Sequence, residues 1–188
     1  MEIDISYIKA PRKDGWGFLP PSQEVFDILI DVKEKTMAKK IMEIGFNAGH
    51  SSIYLLNIFP DAELHVIGPS PKHGNQNVIR GRYGDRFKFY QMRTDQLRGT
   101  GFKENFDLGF IDGHHSSAMA TIDLDYCIND LKCEYLVLDN YEQNGVKNAL
   151  SLFKEDIKQI KKYSYINTWK GETKNLEMAL YYVSRNRF

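Results

Sequence analysis

Short apolar runs alternate along the chain with longer segments in which apolar residues recur every three or four positions. Five of the runs predict buried strands, over residues 40–44, 63–67, 87–92, 106–111 and 135–138. The periodic segments predict helices, the first after a cap at Ser22 and the others over residues 50–58, 72–84, 117–131 and 146–160. Two further strands, 163–169 and 176–183, are expected on either side of a polar loop over residues 170–175.

This order of elements predicts a single α/β domain over residues 1–188. Strand and helix alternate along most of the chain, and such alternation favours a mostly parallel sheet with helices on both faces. We expect three layers and seven strands, with an antiparallel strand near the C-terminus. Residues 1–20 lack periodicity and are expected to form an irregular arm, in which Trp16 and Phe18 could serve a homodimer contact.

Composition narrows the possible classes of function. Lysine plus arginine (25) balance aspartate plus glutamate (25), which disfavours a protein that binds nucleic acid or a membrane surface. Cys127 and Cys133 lie in apolar surroundings, so buried free thiols are expected rather than a disulfide framework. No apolar stretch approaches membrane-spanning length and the acidic start is unlike a signal peptide, so we expect a cytoplasmic protein.

The first predicted strand leads into a glycine-containing turn that is typical of nucleotide-binding βα units. Glu43 lies near the strand end, Gly45 and Gly49 bracket the turn, and the predicted helix follows at once. Glycine lets the backbone turn tightly and approach a ligand, and the first N–H groups of the helix point toward the turn. Because many α/β proteins have such a turn, it indicates only that an adenosine-type ligand would fit.

Chemically active side chains follow the fourth and fifth strands. Asp112 begins the sequence Asp-Gly-His-His-Ser, and Asp139 and Asn140 stand after the fifth strand. Since the carboxyl ends of parallel strands meet at one edge of a sheet, these groups are expected to meet there. Two carboxylates and an amide oxygen suit Mg²⁺, Ca²⁺ or Mn²⁺. His115, three residues after Asp112, could titrate near neutral pH and accept a proton.

Each of these residues also has a purely structural explanation. Asp112 and Asp139 could cap the helices that follow them, and Asn140 could be an ordinary turn residue. One of His114 and His115 is expected to lie exposed in a loop. The combination of these residues downstream of the glycine turn favours a functional site over capping alone.

The order of elements and these motifs resemble the class I S-adenosylmethionine-dependent methyltransferases, over about residues 20–184. The turn over residues 43–51 is similar to that of the cation-dependent catechol and caffeoyl-CoA O-methyltransferases, which likewise tolerate a residue other than glycine at the position of Asn47. Asparagine can adopt the left-handed conformation of a glycine. The Asp-Gly-His-His-Ser sequence looks more like small bacterial methyltransferases of the Asp-Gly-x-His-Ser kind, which include sugar-modifying enzymes.

The resemblance implies a Rossmann-like methyltransferase fold, S-adenosylmethionine as cofactor and a small-molecule acceptor. It implies that the cofactor-binding residues are Glu43, Gly45, Asn47, Gly49, Ser51, Ser70, Thr94, Asp95 and Asp112. It further implies a divalent cation such as Mg²⁺ on Asp112, Asp139 and Asn140, and it places His115 where the catechol enzymes carry a catalytic lysine. The implied activity is metal-assisted O-methylation of a small hydroxylated acceptor, either a sugar or a diol.

One position departs from the family pattern. The second strand of such enzymes usually ends in an acid that binds the cofactor ribose, whereas this chain has Gly68-Pro69-Ser70. Ser70 could supply one neutral hydrogen bond, and the lost charge-assisted bond would cost about 1–3 kcal/mol of cofactor binding. This departure and the short chain leave an alternative open, namely a protein of this fold that binds a ligand or partner without methylating it. Methylation of nucleic acid is disfavoured, because the Asp/Asn-Pro-Pro-aromatic motif of amino-methylating enzymes is absent.

Overall fold

The computed structural model describes residues 3–8, 19–169 and 172–184. The helices are α1 (Gln23–Thr36), α2 (His50–Ile58), α3 (Asn75–Tyr83), α4 (Thr94–Gly99), α5 (Ser117–Asp125) and α6 (Asn144–Ser151). The strands are β1 (Lys40–Ile44), β2 (Glu63–Ile67), β3 (Phe87–Tyr90), β4 (Leu108–Ile111), β5 (Tyr135–Asp139), β6 (Ile157–Trp169) and β7 (Glu172–Val183). Trp16 and Phe18 lie outside the described residues, so the dimer contact stays a prediction.

The seven described strands form one sheet in the order β3-β2-β1-β4-β5-β7-β6. Neighbouring strands are parallel along the part of the sheet that runs β3-β2-β1-β4-β5. Strand β7 runs antiparallel to both of its neighbours, which confirms the predicted mixed sheet. Ile111 of β4 pairs with Ile44 of β1 on one side and with Leu138 of β5 on the other. The residues that follow these three strands therefore emerge side by side at one edge of the sheet.

Alternation of side chains along the strands builds a hydrophobic core on each face of the sheet. Ile41 packs on the face covered by α1 and α2, whereas the next residue, Met42, packs on the face covered by α5 and α6. Both side chains are fully buried, and burial of an aliphatic side chain of this size contributes about 1.5–3 kcal/mol. The two cores confirm the three predicted layers.

The first helix forms as its sequence predicts. The hydroxyl of Ser22 accepts a hydrogen bond of 3.3 Å from the backbone N–H of Val25 and so caps α1. The apolar stripe that includes Val25, Leu29 and Val32 is buried against the sheet. The helix ends at Met37, whose left-handed backbone (φ 48°) turns the chain toward β1.

The helix predicted over residues 146–160 is wrong in its second half. α6 ends at Ser151, and Lys158, which lies within the predicted helix, is found on the edge strand β6 together with Lys161 and Lys162. Lysines on an edge strand oppose pairing with other chains, which explains their position. In β6 the buried residues Tyr163, Tyr165 and Asn167 alternate with exposed ones, as expected for a strand.

Other differences from the predicted elements are smaller. The short helix α4 was not predicted, since six residues are too few to show helical periodicity. The helix predicted over residues 117–131 is α-helical to Asp125 and π-helical over Tyr126–Asp130. The described part of the chain contains no helix with the length and apolar character needed to cross a bilayer. Cys127 and Cys133 are free and buried, as predicted.

Candidate active site

Three residues in the left-handed backbone region shape the turn after β1: Gly45 (φ 107°), Asn47 (φ 43°) and Gly49 (φ 84°). A Cβ atom on Gly45 would lie 2.0 Å from the backbone oxygen of Asp112, so glycine is required for the turns after β1 and β4 to pack together. The conformation of Asn47 confirms the prediction that asparagine takes the place of a glycine there. The glycine turn and Asp112 are therefore in direct contact.

The carboxyl group of Glu43 joins the start of α2 to the end of β1. Its side chain is buried and accepts hydrogen bonds from the hydroxyls of Ser51 and Ser52. Burial raises the pKa of Glu43 to about 8, since the two serine hydrogen bonds only partly oppose it and the charge of Asp112 adds to it. Glu43 thus fixes the glycine turn and the first residues of the helix.

A cavity of about 450 Å³, here called the first cavity, lies beyond the carboxyl ends of β1, β2 and β4. Five of the predicted cofactor-binding residues line it: Gly45, Asn47, Ser70, Thr94 and Asp112. These residues come from the turns after four different strands, so the fold has brought together positions that are distant in sequence. A cleft beyond the strand ends, at the point where strand order reverses, is where α/β sheets bind ligands.

The other predicted cofactor-binding residues lie outside the wall of the first cavity. Glu43 belongs to β1 and Gly49 ends the turn, and Ser51 borders a separate cavity of only about 20 Å³. Asp95 is partly exposed on α4 and forms an ion pair with Arg93, with 2.7 Å between Oδ2 and Nη2. The assignment of these four residues to the cofactor stays a prediction.

A second cavity, of about 530 Å³, lies beyond the carboxyl ends of β4 and β5 and extends to β6 and β7. Its wall contains Asp112, His115, Asp139 and Asn140, which the sequence predicted to meet. It is completed by Glu142, Gln143, Tyr165, Asn167, Lys174 and Leu176. Asp112 and His115 also line the first cavity, so the two cavities adjoin at these two residues.

His115 is held by two polar neighbours. Its Nε2 lies 3.5 Å from Oδ1 of Asp112, and its Nδ1 lies 3.0 Å from the amide nitrogen of Gln143. Burial by itself would lower the pKa of His115, but the nearby carboxylate of Asp112 and the charges of Asp139 and Glu142 outweigh it, so the pKa is raised. The ring is therefore both oriented and electrostatically coupled to the acids around it.

Asp112 and Asp139 form a pair of largely buried acids. Burial, followed by the negative charge of Asp112, raises the pKa of Asp139 to about 8. The hydroxyl of Tyr165 donates a hydrogen bond of 2.7 Å to Oδ1 of Asp139 and partly opposes this shift. Burial also raises the pKa of Asp112, against the effect of His115. The protein groups alone thus do not fully stabilise the ionised form of either acid.

The chemistry of this donor set fits a hard divalent cation. Asp112, Asp139 and Asn140 border the same cavity and offer carboxylate and amide oxygens, which Mg²⁺ and Ca²⁺ prefer. A cation would also balance the two acids. Within the described residues no group of three or more His, Cys, Asp or Glu side chains is arranged to hold a metal, so Asn140 and water would have to complete the coordination.

Capping does not account for the two acids. α5 is capped by Ser116, whose hydroxyl accepts a bond of 3.4 Å from the N–H of Met119, and the cap residue of α6 is Gln143. Asp112 and Asp139 lie four residues before these caps. Asn140 does occupy a turn, at φ 53°, and His114 is the exposed histidine of the pair.

The polar residues at the cavities that were not predicted include Gln143, Tyr165 and Asp123. Asp123 gives a signal in the sequence, because it shares a buried helix face with Ala120 and Leu124 of α5 and with Cys127 of the π-helical turn that follows. An acid on such a face calls for an explanation. Tyr165 gives no comparable signal, since the direction of its side chain depends on how β6 pairs with β7.

The sheet order and the two adjoining cavities define an α/β domain of the class I methyltransferase type. The chain belongs to the family described as methyltransferase domain, whose model matches residues 42–141. The match runs from β1 to the residues just after β5 and includes Asp112, Asp139 and Asn140. No curated protein matches the chain significantly.

Solved methyltransferases share this fold at low sequence identity. The N-methyltransferase NodS from Bradyrhizobium japonicum WM9 has a TM-score of 0.65 and 14% identity, over 87% of this chain and 96% of NodS. The O-methyltransferase from Bacillus cereus in complex with SAH has a TM-score of 0.63 and 18% identity, over 87% and 82% of the two chains. TomG, an O-methyltransferase from Streptomyces achromogenes in complex with SAM, has a TM-score of 0.64 and 16% identity, over 89% and 82%. These likenesses confirm the predicted fold and include both N- and O-methylating enzymes.

Proposed function

We propose that the protein transfers a methyl group from S-adenosylmethionine to a hydroxyl group of a small acceptor, either a sugar or a diol. The observation that carries the proposal is that two cavities, of about 450 and 530 Å³, adjoin at Asp112 and His115. Methyl transfer requires the cofactor and the acceptor in adjoining sites with the reacting atoms close together. The first cavity would hold the cofactor and the second the acceptor.

The walls of the first cavity suit the parts of the cofactor. The turn at Gly45 and Asn47 would receive the methionine part, and the N-terminus of α2, which follows this turn in the chain, would favour its carboxylate. Ser70 and Thr94 both line this cavity, where the hydroxyl of Ser70 would contact the ribose and Thr94 would face the adenine. The sulfonium methyl group would then face the boundary formed by Asp112 and His115.

The walls of the second cavity suit a hydroxylated acceptor. Glu142, Gln143, Asn167 and Lys174 all contribute hydrogen-bonding groups to this wall. A sugar or diol presents several hydroxyl groups that could pair with such groups, whereas an apolar acceptor offers them no hydrogen bond. The polar wall therefore favours an O-methyl acceptor rich in oxygen.

The chemistry assigned to this boundary is a direct transfer. The acceptor oxygen attacks the methyl carbon, the bond from sulfur to that carbon breaks with its electrons left on sulfur, and the acceptor proton passes to Nε2 of His115. The oxygen and nitrogen of the Gln143 amide are nearly indistinguishable, so the amide can be turned to point its oxygen at Nδ1 of His115. That oxygen would accept a hydrogen bond from Nδ1–H, which leaves Nε2 as the atom that takes the proton. Asp112, Asp139 and Asn140 would hold a divalent cation, which when bound would lower the pKa of the acceptor hydroxyl.

Two measurements test the proposal. Calorimetric titration with S-adenosylmethionine and S-adenosylhomocysteine should show binding of both. Mass spectrometry of a panel of sugars and diols, incubated with enzyme, cofactor and Mg²⁺, should show a methyl adduct that is lost when a chelator is added. The panel should also include amines. If the protein binds the cofactor but methylates no acceptor, a non-catalytic protein is favoured. If only an amine is methylated, N-methylation replaces O-methylation in the proposal.

A second candidate function is binding without methylation. One observation favours it: the turn after β2 supplies Ser70 and Lys72 to the first cavity, in place of the acid that usually binds the ribose. A neutral or basic ribose contact would weaken cofactor binding. If a calorimetric titration shows no heat of binding at millimolar S-adenosylmethionine, this alternative is favoured.

The cellular location and the oligomeric state belong to the same proposal. Buried free thiols at Cys127 and Cys133 support a cytoplasmic location, where thiols stay reduced. A homodimer through Trp16 and Phe18 would be revealed by a change in solution mass when both are replaced by alanine.

A further inference from the structure

The turn after β2 brings a basic side chain, and no acidic one, to the first cavity. It contributes Ser70 and Lys72 to the cavity wall. Between the end of β2 at Ile67 and the start of α3 at Asn75 the sequence contains no aspartate or glutamate. The proposed methyl transfer gives the positive charge of Lys72 no role.

A second basic side chain comes from the turn after β3. Strands β2 and β3 are paired in parallel, with Ile67 opposite Tyr90. Ser70 and Arg93 each follow this pair by the same number of residues, and both line the first cavity. The two turns therefore emerge side by side at the edge of the sheet, and each carries a base.

Both bases are accessible to a ligand. Lys72 is exposed at the cavity wall. Arg93 forms an ion pair with Asp95 that is open to solvent, and such pairs are weak enough for the guanidinium group to exchange the carboxylate for another anion.

The two acids of the same cavity are placed differently from the bases. Asp112 follows β4, which is separated from β2 by β1. Asp123 is buried on α5, where its carboxyl group is hydrogen-bonded by Thr94. The exposed charges at the turns after β2 and β3 thus favour an anionic part of a ligand at this end of the cavity.

The position of these bases indicates which part of a nucleotide they meet. In nucleotide-binding α/β sheets an acid about twenty residues beyond the glycine turn binds the ribose hydroxyls, whereas a base in this region accommodates a phosphate on the ribose. Lys72 lies about this far beyond Gly49. An arginine binds phosphate through two parallel hydrogen bonds and a lysine binds it as a point charge, so the pair suits a phosphate monoester.

We infer that Lys72 and Arg93 bind a phosphate group on the ribose, so that the first cavity also takes adenosine nucleotides phosphorylated at the 2′ or 3′ oxygen. Such a nucleotide occupies the ribose position proposed for S-adenosylmethionine and therefore competes with it. The inference rests on the proposed function for the position of the ribose, but it does not require methyl transfer.

The test compares the affinities of adenosine, adenosine 2′-monophosphate and adenosine 3′-monophosphate by calorimetry at low salt. These compounds differ only in the phosphate, so contacts to the adenine cancel. In the wild type at least one nucleotide should bind tighter than adenosine by roughly tenfold or more, and this preference should shrink as salt is added. The preferred nucleotide should also displace S-adenosylhomocysteine.

Substitutions locate the phosphate. In Lys72→Gln and in Arg93→Gln the preference for the nucleotide over adenosine should fall by roughly threefold or more, because each variant loses one charged contact. Lys88→Gln is the matched control, since Lys88 is an exposed lysine of β3 that pairs with Glu63 and lies outside the wall of the first cavity. Its preference should equal that of the wild type.

The outcomes separate this inference from the proposed function. The inference is overturned if the wild type binds neither nucleotide, or binds adenosine at least as tightly as both. A preference that persists undiminished in both variants also overturns it, because the phosphate is then held elsewhere. Titration with S-adenosylhomocysteine tests the proposed function separately. If that compound does not bind while the phosphate preference is found and depends on Lys72 and Arg93, the proposed function fails and the phosphate site stands.

Discussion

The hydroxyl of Tyr165 donates a hydrogen bond of 2.7 Å to Oδ1 of Asp139, which ties the edge strand β6 to the end of β5 across the intervening strand β7. Burial and the charge of Asp139 raise the pKa of Tyr165, so the phenol stays protonated and remains a donor. The hydrogen bond holds Oδ1 of Asp139, and the backbone N–H of Asn140 also donates to this carboxyl group. The C-terminal hairpin therefore takes part in the candidate site.

Replacement of Tyr165 by phenylalanine should destabilise the protein by about 1–2 kcal/mol, because the buried carboxyl group of Asp139 loses its side-chain donor. Urea unfolding measures this change. Tyr182→Phe is the control, since Tyr182 is 40% exposed on β7 and its loss should change stability by less than about 0.5 kcal/mol. Equal effects of the two substitutions would show that the hydrogen bond contributes little.

Asp139→Asn should remove the dependence of turnover on Mg²⁺, because a neutral amide is a weaker ligand for a hard cation. We expect the Mg²⁺-stimulated rate to fall by about a hundredfold or more, with cofactor affinity little changed. Initial rates across a Mg²⁺ series, with and without chelator, measure this. Asp61→Asn, an exposed position away from both cavities, should behave as the wild type. A normal Mg²⁺ response in Asp139→Asn would remove Asp139 from the metal site.

His115→Ala should lower the rate of methyl transfer by roughly 10²–10⁴-fold, because the acceptor proton loses its base. The dissociation constant for S-adenosylhomocysteine should stay within about twofold of the wild type, since the ring is assigned to the transfer step. Single-turnover rates and calorimetry separate the two effects. His73→Asn replaces an exposed histidine at φ 58° by a residue that tolerates this conformation, and it should retain full activity. A normal rate in His115→Ala would exclude the proposed base.

How far the sequence predicts this molecule depends on the range of the interactions involved. β1, α2 and β2 match their predicted bounds because local apolar patterns and glycine turns determine them. The candidate residues at the ends of β4 and β5 follow from topology, since parallel strands place their carboxyl ends at one edge. The second half of the predicted 146–160 helix fails, because pairing with β7 overrides a pattern that also suits a helix. Tyr165 was missed for a similar reason, since its role arises from a contact between distant elements.

Asp31→Asn should reduce stability at neutral pH and have little effect in strong acid. Burial of Asp31 is outweighed by hydrogen bonds from Lys35, Tyr163 and Lys161, which lower its pKa to about 2 and link α1 to β6. A carboxyl group with a lowered folded-state pKa stabilises the fold above its unfolded pKa, near 4, and this contribution is lost as the pH falls toward about 2. The free energy of unfolding of the wild type should exceed that of the variant by about 1–2 kcal/mol at pH 6 and by almost nothing at pH 2. Urea unfolding of both proteins between pH 2 and pH 6 measures this difference in unfolding free energy. A difference that does not change with pH would show that the charge of Asp31 is not its cause.

Two glycine substitutions should have opposite effects on stability, and together they test how closely the turns after β1 and β4 pack. In Gly45→Ala the new Cβ atom would lie 2.0 Å from the backbone oxygen of Asp112, at φ 107°, so the turn must move or strain. We expect a loss of at least about 2 kcal/mol, with weaker binding of S-adenosylhomocysteine because Gly45 lines the first cavity. In Gly81→Ala, on α3, the Cβ atom meets nothing within 4 Å, and the better helix former should add about 0.5–1 kcal/mol. Urea unfolding and calorimetry on both variants measure these changes. A Gly45→Ala protein with wild-type stability would mean that the two turns are further apart than the contact between Gly45 and Asp112 requires.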